Sequence, residues 1–181
     1  MKYLLFLFIF PTLLFSQRKK EILDAKYVLK NASDTINAKI LTYFQNDTLL
    51  PETVVKSIDF IDSTGNYKVK ESDVQFLSFK KEERTYKFLS GDHLPFLPKH
   101  NGLYNEVIKG KLSWYSSYFI AGNIKVKAYA VQNKEVVFSG EGYSLINKLK
   151  NYIKDEDLKV MLKKATSMND FLQVLQIYNS R

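Results

Sequence analysis

The sequence predicts an α+β fold: a mostly antiparallel sheet, either an open barrel or a curved sheet, followed by about three C-terminal helices. Three observations carry this expectation. Apolar and polar residues alternate over short runs as far as residue 139, the apolar spacing turns helical from residue 144, and turn-forming residues punctuate the runs. Strands first and helices last favour helices gathered on one face or end of an antiparallel sheet.

The first pair of strands is expected at 27–30 and 35–43, flanking Asn31-Ala32-Ser33-Asp34, whose side chains bond locally to the backbone in tight turns. Ile36, Ala38, Ile40 and Thr42 share one face of the second run. A polar loop at 46–51 leads to a strand at 57–62, a turn at Ser63-Thr64-Gly65-Asn66 and a returning strand at 67–70. Runs 74–79 and 85–89 repeat the plan across a charged connection at 80–84. Residues 90–102 contain Gly91, Pro95, Pro98 and Gly102 and predict a long ordered loop. Strand patterns resume at 103–108, 112–119, 124–131 and 136–138.

From Ser144 the period is helical. Leu145, Ile146, Leu149, Tyr152 and Ile153 form one stripe, Leu158, Met161 and Leu162 a second, and Phe171, Val174, Leu175 and Tyr178 a third. Asp155, Glu156 and Asp157 oppose the positive end of the second helix dipole, and Lys163 and Lys164 oppose its negative end. Ser167 followed by Asp170 reads as a capping box for the third helix.

The organisation this predicts is a signal peptide at 1–16, a flexible leader at 17–25 and a single domain at 26–181, strand-rich over 26–139 and helical over 143–179. Lys2 provides the positive start of the signal, residues 3–15 its apolar stretch, and Ser16 a small residue before Gln17, which places cleavage between Ser16 and Gln17. At about 1.5 Å rise per residue that stretch spans roughly 20 Å, short of the roughly 30 Å hydrocarbon core, so a removed signal is expected and no stable membrane span after it. The expected location is therefore outside the cytoplasm: periplasm, cell surface or medium.

Cysteine is absent, which excludes a disulfide framework, thiolate metal ligation, a cysteine nucleophile and lipid attachment behind the signal. The formal charge is +8, but only Arg18, Arg84 and Arg181 are arginines. Lysine is a strongly hydrated point charge, suited to a solvated surface or to loose attraction for anionic polymers and lipid head groups. Together with export, this argues against nucleic acid.

Few residues suggest chemistry. His93 and His100 lie in the 90–102 loop near Asp92 and Ser90. Hydrolytic triads and metal sites draw their members from distant segments, so no catalytic or metal site is assigned to these residues. Gly140-Glu141-Gly142 precedes a helix but has Leu145 in place of the third glycine of a dinucleotide turn, so no cofactor is expected. The run from Leu112 to Phe119 holds the single tryptophan, with Leu112, Trp114 and Tyr118 on one face and Tyr115 and Phe119 on the other. One aromatic face belongs to the core; a partner surface would use Trp114, Tyr115, His93 and His100.

Several blocks are also similar to a known group. Tyr27-Val28-Leu29-Lys30 followed by Ser33-Asp34-Thr35-Ile36-Asn37-Ala38-Lys39-Ile40 resembles the opening G-D-T-I-x-G-K-I hairpin of a widespread family of uncharacterised exported bacterial proteins. Ser57-Ile58-Asp59-Phe60, Glu71-Ser72-Asp73-Val74, Lys109-Gly110-Lys111-Leu112-Ser113-Trp114-Tyr115 and the closing Tyr178-Asn179 follow in the family's order. Ser33 and Ala38 depart from it where glycine is usual. The resemblance implies an exported strand-rich domain with a helical C-terminus and transfers no catalytic residue.

The functional expectation is a non-enzymatic envelope protein that binds another envelope component, a protein or a polymer. The alternatives are an envelope hydrolase using the loop histidines, and a basic surface that holds anionic polymer.

Overall fold

In a computed structural model of the protein, residues 18–141 and 144–181 are described. The expected signal at 1–16, its cleavage point at Ser16 and Gln17, and Gly142 of the glycine pair lie outside them. The strands are β1 (Arg18–Leu29), β2 (Ile36–Gln45), β3 (Thr48–Leu49), β4 (Ser57–Asp62), β5 (Gly65–Lys70), β6 (Val74–Lys81), β7 (Arg84–Ser90), β8 (Leu103–Ile108), β9 (Ser113–Ala121), β10 (Asn123–Gln132) and β11 (Glu135–Glu141). The helices are α1 (Ser144–Tyr152), α2 (Glu156–Lys164) and α3 (Met168–Ser180). The strands form one antiparallel sheet in the order β11-β10-β9-β8-β7-β6-β1-β2-β4-β5, with β3 paired to β2. The fold is α+β: an open sheet followed by three helices.

One expectation is corrected at the start of the chain. Residues from Arg18 onward are not a flexible leader but the first half of β1, paired from Arg18 opposite Gln45 to Tyr27 opposite Ile36. The charges that suggested a leader are held by partners: Arg18 lies 4.2 Å over the Tyr43 ring and Lys81 reaches Glu21 at 3.1 Å. The 80–84 connection is also tighter than expected, because Lys81 and Arg84 are themselves a ladder pair.

Register explains the core. Directly opposed residues share a face. Ala25, Phe79 and Tyr86 therefore lie on one face, as do Leu77 and Phe88, then Asn105, Ser116 and Ala128. Towards β5 this face encloses a first core of Tyr27, Ile40, Phe60, Leu77 and Phe88. Towards β11 the same face is covered by the helices, which bury Leu149, Leu158, Phe171 and Leu175 against Trp114 and Ala130. The opposite face near β11 carries Tyr104, Tyr115 and Tyr129, covered by Leu94 and Leu97 of the loop after β7.

The sheet coils strongly at its β5 end. The Tyr27 and Tyr67 hydroxyls are 3.2 Å apart although β2 and β4 lie between their strands, and Phe60 stacks on Tyr27 with ring centroids 4.3 Å apart. The coil brings the end of β5 back towards β8 and gives this half the shape of an open barrel with an aromatic interior.

Candidate functional site

Two features stand out: a cleft of mixed polar and apolar lining on the outside of the coiled half, and a buried carboxylate at the seam where it nearly closes. The cleft follows from alternation. While Ala25, Ala38 and Phe79 face the core or its margin, their neighbours Asp24, Lys26, Asn37, Lys39, Ser78 and Lys80 point the other way. These side chains line a cleft of about 970 Å³ bounded by the turn after Ile61 and by Thr85. Lys80 faces Glu83 at 3.6 Å, and Asp62 accepts hydrogen bonds from the Thr64 N–H at 2.7 Å and hydroxyl at 2.6 Å. Those bonds hold the Asp62 carboxyl below its ordinary range. Lys26 and Lys39 form no ion pair among the described residues, so two ammonium donors stand beside Asp24, Asn37, Ser78 and Thr85.

At the seam, Glu71 follows β5 and is buried. Its Oε2 accepts the Lys56 N–H at 3.0 Å and its Oε1 the Leu103 N–H at 2.8 Å. Burial raises the Glu71 carboxyl above its ordinary value, against the pull of these two donors. His100 sits beside it: its Nε2 is buried without a hydrogen-bond partner and lies 2.8 Å from where a Cβ on Gly102 would stand, with Glu71 Oε1 closer still. Burial lowers the His100 imidazole, an effect opposed by a hydrogen bond to the Tyr118 backbone.

The loop histidines separate. Asp92 and His93 are exposed, Asp92 pairs with Lys30 at 3.0 Å, and His93 lines a shallow hollow with Val28, Phe76 and Leu89. His100 lies edge-on to Tyr104 at 5.5 Å and lines a second hollow together with Asp92 and Lys30. The neighbour that meets His100 is thus Glu71, which comes from another element and is marked in the sequence only by its place in a block of the family resemblance. Among the described residues, no group of three His, Asp or Glu side chains is placed to hold a metal.

Trp114 and Tyr115 are core on opposite faces, not an exposed platform. Trp114 is 3 % exposed and meets Phe171 with ring centroids 4.9 Å apart. Tyr115 packs edge-on to Phe96 at 6.0 Å and donates to Glu106 Oε2 at 3.4 Å. Burial pushes its phenol up to about 12.

Fold and site define an α+β domain built on a coiled open sheet, with a lysine-bearing cleft outside the coil and a carboxylate clasp at its seam. Against protein-family models, curated proteins and solved structures, the chain finds no match.

Proposed function

We propose that the protein is an exported binding module whose sheet cleft holds an acidic, hydroxyl-rich polymer of the cell envelope. The observation that carries this reading is the cleft itself, about 970 Å³, where Lys26, Lys39, Asp24, Asp62, Asn37, Ser78 and Thr85 stand among the apolar Ala25, Ala38, Ile61 and Phe79. Lysine donors, a carboxylate acceptor and amide and hydroxyl groups complement a chain bearing both carboxylates and hydroxyls. The lining follows the strand order across β6, β1 and β2, so a linear ligand is the natural occupant. Export rests on the signal-like segment at 1–16, and membership of the exported family on the sequence blocks already described. Among the described residues no helix is long and apolar enough to cross a membrane.

Titration with uronic-acid oligosaccharides and their neutral counterparts tests the reading. The acidic chains should bind, the neutral ones more weakly, and Lys26→Ala/Lys39→Ala should weaken binding of the acidic chains by about tenfold or more. Equal binding by the double variant, or no binding of any acidic chain, would sink it.

A hydrolase built on the loop histidines has less support. His93 and His100 face different hollows, Asp92 beside His100 is paired with Lys30, and both Glu71 oxygens already accept backbone N–H groups. That arrangement describes a structural clasp.

A further inference from the structure

We propose that the crevice between α1 and α2 is a phosphate-binding site, separate from the sheet cleft. Lys150 from α1 and Lys159 and Lys163 from α2 line it with Asn151, around a space of about 460 Å³. Lys159 and Lys163 are one helical turn apart and so project to the same side. Lys150 and Lys159 are half-buried and Lys163 is exposed.

Of the nearby acids, Glu156 offsets one charge of the cluster and also acts on Lys163, while the others are engaged elsewhere. Glu156 is engaged by Lys159 at 2.6 Å. Asp157 and Asp155 are drawn to Arg181, at 3.1 Å and 3.8 Å. Asp170 is occupied by the start of α3, accepting from the Ser167 N–H at 2.9 Å and the Thr166 N–H at 3.0 Å. The segment Ser144–Tyr152 contains no acidic residue. Lys150 and Lys163 form no ion pair among the described residues, so three lysines against the single Glu156 leave the crevice an excess of positive charge that a bound anion would offset.

Phosphate suits the vacancy in charge. Its several oxygens can accept from ammonium groups arriving from different directions, and lysine binds it as a point charge without needing a planar fork. The Asn151 amide adds an uncharged donor. A lipid head group and a soluble phosphorylated polymer would present the same chemistry, and the experiment separates them.

Calorimetric titration with tripolyphosphate at fixed ionic strength should show saturable binding. Lys150→Ala/Lys163→Ala should weaken it by about tenfold or more. Lys68→Ala/Lys70→Ala, on β5 at the far edge of the sheet, should leave it within about twofold. Alanine is the strongest helix former, so circular dichroism of the helical variant should match the parent. Flotation with phosphatidylglycerol vesicles, reversed by tripolyphosphate, would support the site and assign its phosphate to lipid. Saturable tripolyphosphate binding without flotation would support it and assign a soluble source. Absence of saturable binding, an unchanged helical variant, or equal weakening by the β5 variant would overturn the proposal; the last would reduce it to diffuse surface charge.

Discussion

Glu71 joins two parts of the sheet that never pair: its Oε1 accepts the Leu103 N–H at 2.8 Å, across five intervening strands of the ladder order. Its other oxygen holds the Lys56 N–H of the turn before β4. One carboxylate thus supplies, at the seam of a nearly closed coil, the acceptors that a completed barrel would draw from strand pairing.

Glu71→Ala should therefore lower stability by about 3 kcal/mol, since it leaves two backbone donors unpaired at a buried position. The pH dependence has a definite sign. Burial raises the folded-state pKa of Glu71, so the folded protein keeps this proton to higher pH than the unfolded chain does. The resulting contribution is full below the ordinary carboxyl range and is lost as pH rises through the elevated folded value. Denaturant titrations should show a larger penalty for Glu71→Ala at about pH 4 than at about pH 8. A penalty that grows towards high pH would contradict the assignment.

Gly102→Ala should destabilise by about 1–3 kcal/mol, because the added methyl has no free volume. It would strike Glu71 Oε1 and stand 2.8 Å from His100 Nε2. The requirement is close approach rather than unusual backbone geometry. Pairing the substitution with His100→Ala should recover part of the loss, measurable as coupling in a double-mutant cycle. Strict additivity would remove His100 from the contact.

Asn179 should prove the anchor of the C-terminal helix. Its Oδ1 accepts the Leu112 N–H at 2.8 Å and its Nδ2 donates to the Leu112 carbonyl at 3.0 Å, 67 residues away in sequence. Asn179→Ala should cost about 2 kcal/mol, and Asn179→Asp more, because a carboxylate would face that carbonyl. Hydrogen exchange should quicken at the Leu112 amide in both variants. Unchanged protection there would refute the anchor.

Trp114 should report the seal between sheet and helices. It is the single tryptophan, so its emission should be blue-shifted in the native protein. Phe171→Ala, which removes the ring 4.9 Å away, should cost about 3–5 kcal/mol and shift emission to the red. Emission typical of a solvated indole in the parent would contradict the packing.

Much of the fold was legible because its determinants are local. The capping box appears as read, with the Ser167 hydroxyl accepting the Asp170 N–H at 3.2 Å and Asp170 returning to the Ser167 N–H. The hairpin turn at Asn133 and Lys134, with φ 51° and 62°, likewise lies where polar residues separate two alternating runs. The strand at Arg18 was hidden, because its charged side chains find partners on β2 and β6 that no nearby residue announces. The candidate sites were less legible. Alternation in 35–43 puts Lys39 on the face away from Ile36, Ala38 and Ile40, but Lys26 precedes the strand expected at 27–30, and only the pairing of β1 with β2 and β6 brings the two lysines to one cleft. His100 was visible as a loop histidine, whereas Glu71 became its neighbour only when β5 curled towards β8.

By itself the sequence determined the α+β order of elements, the helix ends and the lack of any thiol chemistry, since periodicity, capping and composition act within a few residues or need no geometry. Tertiary structure alone decided which strands meet at the seam, what covers the opposite faces that carry Trp114 and Tyr115, and which lysines share a crevice. Those relationships depend on ladder register and sheet coiling, which are set by packing between residues far apart in the chain.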